Sequence, residues 1–195
     1  MHVALPKGEY RVQIFVVETQ PGDAARALCD KHVISQIGET AELLAIAHVL
    51  NGEGVPPMAV LRPRTRHLHH PCAKWVGATL GNYRWTLQLA KALLREYTHR
   101  YGRYHVYESD IVRMTHAPFK LRADKAPKIG HVAVMPDEFV DPTSVLKSYR
   151  NYYHHKAERM KMRWTNRLSP RWFTAVEHPT YATIPVEARA RRVLS

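Results

Sequence analysis

Cysteine is scarce in this sequence, and its scarcity excludes two classes of small protein. Only Cys29 and Cys72 occur among 195 residues, and neither belongs to a Cys-x-x-Cys pair. Two cysteines cannot build a disulfide framework, and zinc modules need clustered ligands at short spacing. The first ten residues also lack the apolar run of a signal peptide, because a proline, a glycine and a glutamate interrupt them. We therefore expect a reducing, cytoplasmic setting and no export.

Long apolar runs and familiar catalytic motifs are missing as well. No stretch reaches about 18 consecutive apolar residues, the length that a membrane-spanning helix needs. The chain has no Gly-rich phosphate loop, nucleophile elbow or Ser/His/Asp arrangement. These absences argue against a membrane partner and against nucleotide-binding or triad enzymes, and we expect no cofactor.

Acidic residues are the minority among the charged ones. Lys and Arg total 29 against 17 Asp and Glu, which gives a formal net charge of +12 with all 13 histidines neutral. A field of that sign concentrates polyanions, so nucleic acid is the leading partner. An anionic membrane surface is the competing one, but no amphipathic Lys/Arg helix with a bulky apolar face occurs.

The length and the apolar content predict one domain. At 45% apolar residues, the chain can bury one ordinary hydrophobic core. We expect a single domain over residues 10–173, preceded by an extension at 1–9 and followed by a basic tail at 174–195. The tail has no clear apolar period, so disorder or nucleic-acid contact is as strongly favoured there as packing. We expect the protein to act as a monomer.

Hydrophobic periodicity predicts an all-α fold: a compact bundle of three long helices with a short extended N-terminal segment and long basic loops. The extended segment covers Tyr10 to Glu18. The first helix runs from about Asp23, its N-cap, to Leu50, and the second from about Cys72 to Tyr101, where Gly102 stops it. The third is capped by Asp141 and runs to about Trp164.

Two basic segments separate the predicted helices. Residues 51–71 are rich in proline, arginine and histidine, so we expect a loop of positive potential that lies against phosphates. Residues 103–140 lose the helical period, which predicts an irregular and partly mobile segment.

One face of the first predicted helix is polar and carries the best candidate site. At about 100° per residue, His32, Gln36 and Glu39 fall within about 60° of one another, while Val33 and Ala41 lie in an apolar sector. His32 and Glu39 are separated by about 10 Å along the axis, so they flank a spot rather than bond to each other. We interpret the pair as a candidate catalytic site, although a solvated helix face gives the same pattern.

Three short motifs carry a family resemblance. They are, in chain order, Leu28-x-Asp30-x-His32 with Glu39, the helix end Arg100-Tyr101-Gly102, and the segments Met135-Pro136-Asp137-Glu138-Phe139 and Ser169-Pro170-Arg171-Trp172-Phe173. In order and spacing they resemble the phage pyrimidine-dimer DNA glycosylases, the endonuclease V family. The resemblance covers about Arg11 to Phe173 and implies a mostly helical protein that binds duplex DNA and excises damaged or modified pyrimidines.

The resemblance also implies a mechanism. In that family the amine of the processed N-terminus attacks the sugar C1′ and forms an imine, which permits strand cleavage by β-elimination. The matching glutamate, here Glu39, assists proton transfer and stabilises the cationic sugar, and His32 would orient a phosphate or the base. We therefore predict a DNA glycosylase, with abasic-site lyase activity if imine chemistry is kept. A monofunctional variant would use Glu39 to activate water instead.

The sequence departs from the family around this glutamate. The terminal nucleophile aligns near Tyr10, so residues 1–9 would carry the α-amine away from Glu39 unless they are trimmed or fold back. Two arginines that the family places beside its glutamate correspond here to Gly38 and Glu42. A non-catalytic DNA-binding or phage accessory protein with the same fold is therefore the alternative. A module that binds an acidic protein is a third.

Basic and aromatic side chains outside this pair are the predicted DNA contacts. Cationic side chains meet phosphates, and an aromatic ring beside them stacks on a base. The predicted contacts are Arg11, Lys31, Arg100, Arg103, Lys156, Arg159, Arg163, Arg171 and Trp172. Trp75, Tyr83 and Trp85 recur at helical spacing, which is more typical of a core than of a stacking platform.

The run from His67 to Cys72 invites a metal interpretation, because imidazole and thiolate suit zinc. A basic loop that leads into a helix is the alternative. We favour the loop, and expect no metal, because no partner cluster has recognisable ligand spacing.

Overall fold

The computed structural model describes residues 12–174, and this part of the chain is helical. Its α-helices are α1 Pro21–Ala27, α2 Asp30–Leu50, α3 Pro71–Val76, α4 Leu80–Tyr101, α5 Glu108–Arg113, α6 Phe119–Asp124, α7 Val145–Arg159 and α8 Arg171–Thr174. Two 3-10 turns, Thr65–His67 and Asp137–Phe139, lie between them, and no β-strand forms within the described residues. The all-α prediction is confirmed. The N-terminal extension, Arg11 and the tail beyond residue 174 lie outside the described residues.

The first predicted helix is interrupted at Leu28 and Cys29, which separate α1 from α2. Their backbones are extended, with ψ of 141° and 164°. Arg100 donates to the Leu28 carbonyl (2.8 Å), and the Cys29 N–H donates to the Tyr153 hydroxyl (2.7 Å). These tertiary hydrogen bonds replace the helical ones that the break removes. The predicted start was also wrong, because α1 begins at Pro21, a residue whose fixed φ suits a first helical position.

The second predicted helix divides at residues 77–79 into α3 and α4. The Thr79 hydroxyl caps α4 by accepting a first-turn backbone N–H. Gly102, with φ of 66°, ends α4 in the left-handed region, as the sequence predicted. Gly81 lies so close to a neighbouring loop that a Cβ would stand 1.9 Å from the backbone nitrogen of Lys128. Only glycine permits that approach.

The third predicted helix is α7, which is shorter than predicted at both ends. Its N-cap is Ser144 rather than Asp141, whose carboxylate accepts from the Thr143 N–H (2.8 Å) and closes a turn instead. The segment 103–140, predicted to be irregular, contains α5 and α6. Helices of six residues are too short to leave a readable apolar period.

α2 is the central helix, and it packs against α3 and α4, while α1 also packs against α4. By length and hydropathy alone α2 is apolar enough to cross a membrane, but 67% of its most apolar window is buried inside the structure. The core helix of a folded domain gives the same signal, so it is weak evidence for a membrane span.

The extended lead-in is buried but forms no strand over its described residues 12–17. The Gln36 side chain on α2 holds it: its Oε1 accepts from the Phe15 N–H (3.2 Å) and its Nε2 donates to the Gln13 carbonyl (2.8 Å). The polar face of α2 therefore points inwards, against the lead-in, and is not a solvated face.

Candidate active site

Glu39 lies at the centre of this polar face, half-buried between α2 and the lead-in. Its Oε2 accepts two hydrogen bonds, from the Gln13 backbone N–H (3.0 Å) and from the Gln36 Nε2 (2.7 Å). Gln36 thus orients the carboxyl and fixes the lead-in at the same time. The carboxyl is held in one place before any ligand arrives, which is what a catalytic group requires.

The environment of Glu39 changes its protonation. Burial raises its pKa from 4.5 to about 7, although hydrogen bonds from Gln13, Ser35 and Gln36 and the charge of Lys156 lower it. Burial dominates because removing a carboxylate from water penalises the charged form. Near neutral pH, Glu39 is therefore divided between the acid, which donates a proton, and the carboxylate, which accepts one.

His32 lies two turns before Glu39 on α2, and it is 7% exposed. Its ring packs against Phe15 (centroids 4.7 Å apart) and Tyr153 (5.0 Å), and its Nδ1 lies 3.5 Å from the Cys29 sulfur. Burial lowers its pKa to about 4, with repulsion from Lys156 and Lys31 acting in the same direction. His32 is thus a neutral imidazole at pH 7, so it does not bind phosphate as a cation.

Lys156 brings an amine to this site from the other end of the chain. It lies on α7, half-buried, with its Nζ 4.7 Å from the Tyr152 ring centroid and 5.6 Å from that of Phe15. Its charge interacts with both Glu39 and His32, although no ion pair within 4.0 Å joins Lys156 to Glu39 in the described structure. The sequence predicted a DNA contact here. Only the fold brings Lys156 to Glu39, and no local sequence signal could have found that.

The aromatic C-terminal segment closes one side of this region. Trp172 and Phe173 pack against Tyr153, with ring centroids 5.7 Å and 6.2 Å away. The Trp172 indole N–H donates to the Glu18 carboxylate (2.8 Å), and the Arg150 guanidinium lies 5.1 Å from the Trp172 ring centroid. Trp172 is therefore half-buried and engaged with protein groups. Base stacking by Trp172 stays a prediction that would use its remaining exposed part.

Of the two positions predicted to differ from the family, Glu42 supports the loop between α2 and α3, while Gly38 lies against Tyr107. Glu42 is buried, and its Oε1 accepts from the Arg64 N–H (2.8 Å) and from the His67 ring Nδ1 (2.9 Å). At Gly38 a Cβ would stand 3.3 Å from the Tyr107 ring. Glu42 therefore anchors the basic loop to α2 and is not a second acid beside Glu39.

Arg100 does not fit its predicted role as a DNA contact, because it is only 4% exposed. Its guanidinium donates to the carbonyls of Arg26 (3.1 Å) and Leu28 (2.8 Å) and to the carboxylates of Asp30 (3.0 Å) and Glu96 (3.2 Å). The side chain thus joins α4 to the break between α1 and α2. At the basic end of α4, which the sequence predicted to contact DNA, Arg100 therefore stabilises the fold.

Three of the predicted cationic contacts form an exposed group that we call the basic rim: Lys31, Arg159 and Arg163. The Asp30 N–H donates to the Arg163 carbonyl (2.8 Å), which places residue 163 beside the start of α2 and Lys31. Arg159 follows Lys156 by about one turn of α7 and interacts with the Tyr152 hydroxyl.

Two further predicted contacts, Arg103 and Arg171, are also exposed but are not assigned to the rim. The Arg103 guanidinium lies 5.9 Å from the Tyr97 ring centroid.

The histidine-rich run before α3 makes structural contacts. His67 pairs with Glu42, and the His70 ring accepts from the Cys72 N–H (3.2 Å) as the N-cap of α3. Among residues 12–174, no group of three or more His, Cys, Asp or Glu side chains is arranged to hold a metal ion.

Trp75, Tyr83 and Trp85 are core residues, with exposures of 6%, 0% and 6%. Burial at this level leaves no ring face open for a base.

Comparison with known families gives a match over the first part of the chain. The model of the family described as pyrimidine dimer DNA glycosylase matches residues 12–110, a stretch that includes His32 and Glu39 but ends before Lys156. No curated protein and no solved structure matches the chain.

Proposed function

Because the chain belongs to the pyrimidine dimer DNA glycosylase family, we propose that it cleaves the N-glycosidic bond of a damaged or modified pyrimidine in duplex DNA, with Glu39 as the acid–base group. Membership makes DNA the substrate class and confirms the suspected family; the matched residues 12–110 contain the first two of the three sequence motifs. The duplex form, a monomeric protein and the accompanying lyase step are parts of the proposal.

The observation that carries the proposal is the state of Glu39. Breaking the glycosidic bond leaves positive charge on the sugar, and a nearby carboxylate lowers the energy of that cation. The departing base or the ring oxygen needs a proton, which a carboxylic acid supplies. A group with a pKa of about 7 provides both forms at neutral pH, and the hydrogen bonds from Gln13 and Gln36 hold it in position.

The charge of the molecule supports the choice of DNA. A net charge of +12 favours binding to a polyanion, and the basic rim lies at the end of α2 from which Lys31 projects. Extruding a base from the duplex costs a few kcal/mol, and several phosphate contacts are enough to offset that cost.

The proposal is tested with the substitution Glu39→Gln in the full chain. On duplex DNA that carries a pyrimidine dimer, we expect base excision to fall by roughly 10²-fold or more, because the amide neither donates this proton nor carries the charge. DNA affinity should change little, because a carboxylate does not attract phosphate. Single-turnover excision and fluorescence anisotropy measure the two quantities.

A matched control is Glu158→Gln, the same chemical change at an exposed position of α7. It should excise at the wild-type rate. Wild-type activity in Glu39→Gln would remove Glu39 from the mechanism. If the wild-type chain binds DNA with a steep salt dependence but excises nothing from dimer-containing or modified-base duplexes, the non-catalytic alternative replaces the enzyme.

A further inference from the structure

Lys156 is the one lysine of the described chain that faces Glu39 and His32 through electrostatic interaction with both. Its Nζ lies beside the rings of Tyr152 and Phe15 and has lost part of its hydration. The side chain is partly exposed, so a ligand can reach it. This is the setting in which a lysine acts as a nucleophile: a partly desolvated amine next to a group that transfers protons.

We propose that the ε-amine of Lys156 attacks the deoxyribose C1′ and forms the imine that the family resemblance assigns to a terminal α-amine. The inference rests on the proposed function and adds a catalytic residue to it.

Two features of the site favour attack by this amine. Burial lowers the pKa of Lys156, although the charge of Glu39 acts against the shift, so more of the neutral amine is present than for an exposed lysine. The Nζ of Lys156 also lies over the Tyr152 and Phe15 rings, 4.7 Å and 5.6 Å from their centroids, so apolar surface replaces part of its water. Lys31 also neighbours His32, but it is exposed and keeps its water.

The reaction balances with the groups present. The neutral amine forms an N–C1′ bond while the C1′–base bond breaks; the electron pair leaves with the base, which takes up the proton that the attacking nitrogen releases. Opening of the sugar ring breaks the C1′–O4′ bond, and the acid form of Glu39 gives its proton to O4′. The product is an iminium between Lys156 and C1′.

Strand cleavage follows from the iminium. The carboxylate form of Glu39 removes a proton from C2′, and the C3′–O bond breaks, so that the 3′ phosphate leaves with its electron pair. Water then hydrolyses the imine and frees the lysine. Glu39 donates one proton and recovers another, which its pKa of about 7 allows at neutral pH.

The experiment uses the full chain, duplex DNA with a single abasic site, and sodium borohydride, which reduces the iminium to a stable secondary amine. We expect a covalent protein–DNA adduct, and mass spectrometry of its peptides should place the sugar remnant on Lys156. An adduct on the terminal α-amine or on another lysine overturns the proposal whether or not any variant folds.

The variant Lys156→Arg supplies a second readout. Arginine keeps the charge but remains protonated and cannot attack, so trapping and strand cleavage should be lost while affinity for abasic DNA stays within a few-fold of wild type. Lys161→Arg is the matched control at an exposed position just beyond α7, and it should trap as wild type does. Wild-type trapping in Lys156→Arg excludes Lys156 as the nucleophile.

Base release from dimer-containing duplex separates this proposal from the one on which it rests. Excision without any trapped adduct keeps the glycosylase and excludes the Lys156 imine, which leaves water as the nucleophile. Neither excision nor trapping overturns both proposals.

Discussion

At Glu39, burial and hydrogen bonding act on one carboxyl in opposite directions. Burial raises the pKa, while the donors Gln13, Ser35 and Gln36 and the nearby charge of Lys156 lower it, and burial prevails. At His32 the effects act in the same direction: burial and the charges of two lysines all lower its pKa. At neutral pH the buried His32 is therefore uncharged, and Glu39 is divided between its acid and its carboxylate, a state that suits proton transfer.

The raised pKa of Glu39 predicts a pH-dependent stability. The folded protein holds this proton up to about pH 7, whereas the unfolded chain releases it near pH 4.5. The stabilising contribution of the protonated carboxyl is therefore complete below about pH 4.5 and is lost as the pH rises through 7. Glu39→Gln has no proton to lose at this position. The free energy of unfolding of the variant minus that of wild type should therefore increase by on the order of 3 kcal/mol between pH 5 and 8.

Urea denaturation at intervals of pH measures this difference, and the contribution of His32 cancels because both proteins contain it. A difference that does not change with pH would mean that the carboxyl of Glu39 titrates at its ordinary pKa.

At the scale of the elements, the break between α1 and α2 organises the site. Leu28 and Cys29 leave the helix, and their backbone groups are taken up by Arg100 from α4 and Tyr153 from α7. The break sets the start of α2 at Asp30, and with it the direction in which His32 and Glu39 project. A buried guanidinium with four oxygen partners therefore supports the helix that carries His32 and Glu39.

Arg100→Ala should reduce the free energy of unfolding by about 3 kcal/mol or more, because it leaves the buried acceptors of Leu28 and Glu96 with fewer donors. Arg103→Ala is the matched control: the arginine is exposed, and its loss should cost less than about 1 kcal/mol. Thermal and urea unfolding measure both changes. A marginal effect of Arg100→Ala on stability, together with a loss of DNA affinity, would restore the predicted phosphate contact.

On the scale of the whole molecule, the two ends of α2 differ in what surrounds them. The basic rim and Lys156 lie at its start, while Glu53, which follows its last turn, interacts with His48 and with Arg122 of α6. A helix of 21 residues is about 30 Å long, so Arg122 and Lys31 are separated by most of the molecule. Substitutions at the two ends of α2 can therefore separate the effect of the basic rim on DNA binding from the effect of the net charge.

Affinity for duplex DNA should fall steeply with salt, and Arg159→Ala and Arg163→Ala should each reduce the slope of log K against log salt by about 1. Arg122→Ala removes the same charge at the opposite end of α2 and should leave the slope unchanged. Anisotropy titrations at several salt concentrations measure these slopes. An equal effect of Arg122→Ala would mean that the DNA is attracted by the overall field and not by the rim.

Features that depend on neighbours in the chain could be predicted from the sequence. Gly102 stops α4 because a left-handed residue at that position suits glycine. The shared polar face of His32, Gln36 and Glu39 follows from the helical period alone, and the family motif depends on the same spacing. The class of fold is equally local, since it requires only that the apolar residues recur at helical intervals.

The tertiary structure decided what those residues face. The polar side of α2 is buried because the lead-in packs on Gln36. Lys156 lies near Glu39 because α7 packs against the same lead-in. Arg100 became structural, and the first helix broke at Leu28, because partners far along the chain satisfy the groups involved. Helical period and capping act over a few residues, whereas burial, pKa and the meeting of two reactive groups depend on contacts that no local pattern records.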